Sequence, residues 1–267
     1  MAEIVLGLGT SHSPMLSLPG SMWSDYAARD KTNPMLLSLE DGSTKTYEEL
    51  LETADPAIAT RLTPEIFQEQ YEACQRGIVA LEEAMLEADP DVVVIVGDDQ
   101  EELFFDDNMP LFSIYWGDTM HLTPRGQGDN VPPATKASSW GYGTEEMDVP
   151  VDSALGLHLI EKLIEDDFDI AQSRYMNKEA GGTVGPIGYL KKPIVTERRP
   201  QAMPHAYSYV VKRVMNNKIR PIVPITQNTI YPTNTPSPKR CYNLGQSVAK
   251  AIKNWDSDKK VAVVGSG

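Results

Sequence analysis

The chain has 267 residues, of which 41% are hydrophobic and 23% charged, enough for a sizeable core. A net charge of −14 argues against nucleic acid and anionic membrane surfaces, which are held by Lys and Arg. No apolar run approaches the roughly 20 residues that span a bilayer, and no basic segment followed by an apolar stretch opens the chain. The two cysteines, Cys74 and Cys241, stand far apart, which is not a disulfide framework and points to a reducing cytoplasm. The four histidines, His12, His121, His158 and His205, are too few and too scattered for a zinc finger.

In chain order, Ile4 to Leu8 reads as a short buried strand. Gly9 and Pro14 mark a turn, so His12 in "GTSHSP" stands just beyond a strand's carboxyl end, the rim where open α/β sheets bind ligands. The plain alternative is a loop histidine bonded to a nearby carbonyl. Leu16 to Leu62 is irregular and rich in turn signals, with one short helix in "TYEELLETAD". "LTPEIFQEQYEACQRGIVALEEAMLEADP" predicts a long helix capped by Thr63, with Pro64 and Glu65 in its first turn. Phe67, Tyr71, Cys74, Ile78, Leu81 and Met85 form one apolar stripe, which makes Cys74 a packing residue rather than a reactive thiol.

Val92 to Val96 is a continuous β-branched run, the mark of a strand buried on both faces. A parallel crossover from the first strand then puts Asp98, Asp99, Gln100, Glu101 and Glu102 on the same rim as His12. Leu111 to Trp116 reads as another strand, and residues 117–150, rich in Gly, Pro and Ser, as a long loop or lid with a solvated His121. "SALGLHLIEKLIEDDFD" predicts a helix that gives His158 a structural place. "MPHAYSYVV" sets His205 beside Tyr207 and Tyr209, and "IRPIVPI" is a strand. A loop stiffened by Pro232, Pro236 and Pro238 leads into an amphipathic helix carrying Leu244, Val248 and Ile252. Val261 to Val264 is a last buried strand, with a turn at Gly265-Ser266-Gly267 on the same rim. A domain seldom stops on a central strand, so the expectation is a fragment of a longer protein.

These stretches resemble the class III extradiol ring-cleavage dioxygenases, the family of the catalytic subunit of protocatechuate 4,5-dioxygenase, and within it the 3-O-methylgallate dioxygenase-like branch. "GTSHSP" looks like the family's first motif, whose histidine binds iron. "VVVIVGDDQEELF" sits where the family has a buried strand followed by Asn-Asp-His. "PHAYSY" looks like the Asp-His-Gly segment that lines the substrate pocket. "IRPIVPITQNTIYPTNTPSPKRCYNLGQSVAKAI" is the most specific stretch, and "VAVVGSG" is the strand that in the family runs into Gly-Gly-Met-Ser-His.

The resemblance implies an α/β fold with a central, mostly parallel sheet, helices on both faces and long irregular loops. Residues 1–267 would form a single catalytic domain, incomplete at its C-terminal end, since the family's catalytic histidine and glutamate ligand would fall beyond Gly267. It implies a non-heme Fe(II) dioxygenase that cleaves a catechol- or gallate-type ring with O2, as a homodimer or beside a small helical subunit, with no nucleic acid or membrane partner. His12 takes a ligand role. The family's second histidine falls on Gln100, a weak amide ligand, so Asp98, Asp99 or Glu101 could take over, carboxylates suiting Fe(II). The metal set is thus His12, Gln100 and Asp99. His205 would be the catalytic group, hydrogen-bonded to a substrate hydroxyl or to bound oxygen, and Lys239 and Arg240 would bind a substrate carboxylate. Two other readings keep the fold: metal-assisted hydrolase, lyase or decarboxylase chemistry, or a non-catalytic subunit that has lost the metal.

Overall fold

The computed structural model describes residues 1–34, 36–38, 41–126, 128–179, 181–183, 198–216, 218–231 and 233–267; Pro232 of the proline-rich loop lies outside them. Six strands form the central sheet in the order Glu3–Thr10, Lys260–Ser266, Val92–Asp98, Ile222–Gln227, Phe112–Tyr115, Ala171–Ser173. The first four run parallel. Phe112–Tyr115 joins antiparallel to Ile222–Gln227, and Ala171–Ser173 lies parallel to Phe112–Tyr115. The protein is α/β with a mostly parallel sheet, as its sequence predicts.

The β-branched runs alternate between two cores. Val93 and Ile95 face one, with Tyr207, Val210 and Val214, while Val92 and Val94 face the other, with Leu155, Leu159, Leu244 and Val248. All four strand residues are fully buried, each side chain stabilising the fold by about 1.5–3 kcal/mol relative to exposure. The helices Ser153–Glu165 and Pro238–Lys253 supply apolar side chains to the second face.

The chain divides into two compact units. Met1–His12, Val79–Arg125 and Tyr142–Gly267 form the first, which holds the sheet. Ser13–Ile78 and Gly126–Gly141 form the second. Within the second, the Trp140 indole donates to the Ser17 carbonyl at 2.6 Å and Gln75 to the Leu16 carbonyl at 2.7 Å. Gly20 is required there, since a Cβ would meet the Phe67 carbonyl at 2.8 Å. The helix Pro64–Ala88 runs as its stripe predicts, and Tyr47–Thr53 starts on a capping box between Thr46 and Glu49.

Two expectations are corrected. Residues 117–150 are not a lid without structure: Thr119–Leu122 and Met147–Pro150 form an antiparallel pair, and Pro133–Ser139 is a helix with proline in its first turn. The pairing follows from alternation, with Met120, Leu122 and Val149 buried. The last strand does not turn at Gly265. It continues to Ser266, whose neighbours Thr10 and Gly97 extend the parallel ladder on both sides. Among the described residues, no helix is long and apolar enough to cross a membrane.

Candidate metal centre

Parallel register brings the ends of three adjacent strands level. Thr10 pairs with Ser266, and Ser266 with Gly97. His12 follows the first strand by two residues, and Asp98 closes the third. His205 arrives as the first residue of the helix His205–Tyr209, which Pro204 precedes. Gly97 allows that helix its approach: a Cβ there would lie 2.8 Å from the Ala206 Cβ.

Three side chains meet at this rim. Ligand atoms of His12, Asp98 and His205 all lie within 4.8 Å of one another. His12 Nε2 is 3.4 Å from Asp98 Oδ1, and the two imidazole rings meet edge to face at 4.5 Å between centroids. The hydroxyl of Ser266 donates to the Ala206 carbonyl at 2.9 Å, so at 3.1 Å it accepts from His12 Nδ1. With its proton on Nδ1, neutral His12 turns the Nε2 lone pair toward Asp98. The Tyr142 hydroxyl donates to the His12 carbonyl at 2.6 Å and steadies the loop.

Burial disfavours a charge on either ring. Burial lowers His12 to about 4, reinforced by His205 and opposed by Asp98. Burial also lowers His205, against the pull of Asp98. Asp98 Oδ1 therefore faces an imidazole lone pair rather than a proton, and it is buried with no hydrogen-bond partner. An orphaned buried carboxylate oxygen costs stability unless a cation meets it. Two imidazole nitrogens and one carboxylate oxygen are the donor set of non-heme Fe(II) sites. These residues fit a divalent metal of that kind.

The acidic run after the strand divides its labour. Glu101 adopts a positive φ of 58°, which turns the chain so that the following amides point back. Asp99, fully buried, accepts the backbone N–H groups of Glu102 at 3.2 Å, Leu103 at 2.8 Å and Phe104 at 3.0 Å. Burial raises it to about 7, with the bonds from Leu103 and Phe104 pulling the other way. Gln100 donates through its amide to Asp98 Oδ2 at 3.2 Å. Glu102 faces the backbone N–H and Nδ1 of His205, each at 3.0 Å, and forms an ion pair with Arg125.

The structure thus brings His12 and His205 together and adds Asp98, while Asp99 and Gln100 spend their polar atoms on the loop and on Asp98. Lys239 and Arg240 begin the helix whose apolar residues pack on the opposite face of the sheet from Tyr207 and Val210. Lys239 is exposed and Arg240 stacks on the Phe168 ring at 4.8 Å. His158 donates to the Ala251 carbonyl at 2.9 Å, a structural place. His121, expected to be solvated, instead bonds Asp148 at 2.8 Å from within the strand pair. Arg125 and Tyr142 also contact the centre, and nothing in the Gly- and Pro-rich sequence around them announces it. Residues 56–267, most of the chain, match the family described as "Catalytic LigB subunit of aromatic ring-opening dioxygenase".

Proposed function

The chain belongs to the family of the catalytic LigB subunit of aromatic ring-opening dioxygenases, and from that premise we propose that it opens a catechol- or gallate-type ring with O2, using ferrous iron held by His12, Asp98 and His205. The observation that carries this reading is the buried Asp98 Oδ1, which has no hydrogen-bond donor and lies 3.4 Å from the free nitrogen of His12.

When bound, ferrous iron supplies the dioxygen chemistry that amino-acid side chains lack. The chain's own residues prepare the place. His12 and His205 offer neutral nitrogens because burial holds both below the ordinary histidine value. Asp98 offers one carboxylate beside two imidazoles, so a ferrous ion held here would keep a net positive charge suited to an ionised catechol. The region beyond the strand ends is the customary ligand position in a parallel sheet, and there the Tyr142 ring lies 5.8 Å from the His205 ring between centroids, close to perpendicular.

The test is anaerobic reconstitution with Fe(II), followed by metal analysis and oxygen uptake with catechol, gallate and their carboxylated or methylated forms. The expected result is one iron per chain and oxygen consumption with a ring-opened product, both lost in His12→Ala. Retention of metal and activity in His12→Ala would overturn the site. Product without oxygen consumption would replace ring opening by metal-assisted lyase or hydrolase chemistry, and failure to retain any metal would leave a non-catalytic subunit.

A further inference from the structure

Beside the three proposed ligands, Asp99, Glu101 and Glu102 are also buried acids, and Glu102 bonds the ring of a proposed ligand. Glu102 is 8% exposed and points at His205 rather than at the shared centre. Both of its oxygens lie 3.0 Å from His205 Nδ1, and one of them also accepts the His205 backbone N–H at 3.0 Å. Arg125 pairs with the other oxygen and donates from its second amino group to the Met203 carbonyl at 3.0 Å. Flanked by these donors, the carboxylate acts as an acceptor throughout.

The acid is fixed from both sides of the chain. Its backbone N–H is held by Asp99 at 3.2 Å, and its carbonyl accepts the Ala202 N–H at 2.8 Å. The Gln201 amide donates to the neighbouring Leu103 carbonyl at 2.7 Å. The loop that follows Asp98 and the arm that delivers His205 are therefore one hydrogen-bonded assembly, with the Glu102 carboxylate at its junction. One carboxylate that grips both the backbone and the ring of the same residue fixes side-chain rotamer and tautomer together. With the proton on Nδ1, the His205 lone pair is on Nε2.

We propose that Glu102 is the positioning residue of this centre: it holds His205 in the Nδ1–H tautomer and aims Nε2 at His12 and Asp98. The assignment rests on the reading of those three residues as a metal site. Carboxylates that bond the far nitrogen of a ligand histidine orient the ring and raise its basicity, and their loss typically weakens metal binding 10- to 100-fold. A purely structural Glu102–Arg125 ion pair would have no such effect through His205.

The experiment reads tautomers in the metal-free protein and affinity in the loaded one. Histidine labelled with 15N reports the protonated ring nitrogen by long-range 1H–15N correlation. The expected wild-type result is Nδ1–H at His205. In Glu102→Gln the amide oxygen turns to Arg125 and the NH2 group to the ring, so the proton moves to Nε2. Co(II) binding, measured by titration of its visible bands, is expected to weaken about 10- to 100-fold. Arg125→Met, which removes the ion pair and the bond to the Met203 carbonyl but leaves the Glu102 carboxylate in place, is expected to keep the Nδ1–H tautomer. Should Glu102→Gln not fold, Glu102→Asp, one methylene too short to reach the ring, is read in the same way. An unchanged tautomer and unchanged Co(II) affinity in the Glu102 variants would overturn the assignment, as would an equal loss in Arg125→Met. A wild-type protein that takes up no Co(II) yet switches tautomer in Glu102→Gln would overturn the metal reading and leave the tautomer control standing.

Discussion

Two pairs of histidines in the same compact unit meet opposite fates. His121 and His158 each spend a ring nitrogen on an ordinary acceptor, Asp148 and the Ala251 carbonyl, and sit on regular secondary structure. His12 and His205 spend Nδ1 on Ser266 and Glu102, and their rings then meet beside a carboxylate oxygen that has no donor. The difference does not lie in the residue type or in burial alone. It lies in what the second nitrogen sees: His121 Nε2 lies 4.0 Å from the exposed Glu146 carboxylate, which water can solvate, whereas His12 Nε2 faces a buried carboxylate oxygen with no donor.

The largest expected effect breaks the second pair's special feature. Asp98→Asn removes the charge and gives His12 Nε2 a donor. Metal uptake should fall more than about 100-fold, beyond the range for residues outside the ligand set. The metal-free protein should gain about 1 kcal/mol, because an unsatisfied buried oxygen becomes a hydrogen bond. Metal analysis and urea unfolding in the presence of a chelator measure the two effects. A parallel fall of stability and metal uptake would mean that Asp98 is already neutralised without metal.

The next effect follows from protonation. The unfolded chain takes a proton on His12 near 6.5, whereas the fold resists until about 4. The unfolded state thus binds more protons between these values, so stability of the metal-free protein falls as pH drops from about 6.5 to about 4 and then levels off for this group. His205, also lowered, adds the same sign. The slope is at most about 1.4 kcal/mol per pH unit for each histidine. Metal affinity of the folded protein, by contrast, should fall through proton competition at His12 only as the pH approaches about 4, where its lone pair begins to be protonated. Unfolding curves across pH check this, and His12→Asn should flatten them, whereas His121→Asn should alter the metal titration little.

How far this contrast could be read in advance depends on the kind of signal. Continuous β-branched runs fix the parallel strands, and the strands fix the rim, so His12 and the crowd of acids after Val96 are placed by sequence alone. Roles within the crowd are not, because they depend on which way one loop turns. The positive φ at Glu101 has no glycine to announce it, yet it decides that Asp99 caps amides and that Glu102 reaches His205. Resemblance to a family directs attention to Gln100 by its place in a motif, while its amide bonds to the neighbouring Asp98. Ser266 was visible as a rim residue, but its part in setting the His12 tautomer needed the carbonyl of Ala206, 60 residues away in the chain. The hairpin that holds His121 was hidden by a composition rich in turn formers, although the alternation of Met120 and Leu122 was there to be read.

Asp99→Asn tests the loop that separates the two pairs. One carboxylate oxygen, the acceptor from Phe104 or the shared acceptor from Glu102 and Leu103, would become an NH2 group facing an N–H. Leaving buried donors unpaired costs about 1–3 kcal/mol. Metal affinity should drop only several-fold, through the displaced Glu102 and His205. A loss as large as that of Asp98→Asn would make Asp99 a direct ligand and redraw the centre.

The smallest effect belongs to His158. His158→Ala deletes one hydrogen bond to a helix carbonyl, and the site lies partly buried between the Ser153–Glu165 helix and Ala251. The expected loss is about 1 kcal/mol of stability, with metal affinity within twofold of wild type. The comparison of the two histidine pairs depends on that second number. His158 packs on the face of the sheet that carries Leu155 and Leu159, whereas His205 begins the helix whose Tyr207 and Val210 pack on the other. If removal of His158 weakened metal binding as much as is expected for removal of His12, the sheet would have to transmit a disturbance from one core to the other, and the strand ends would no longer explain the proposed division between the two histidine pairs.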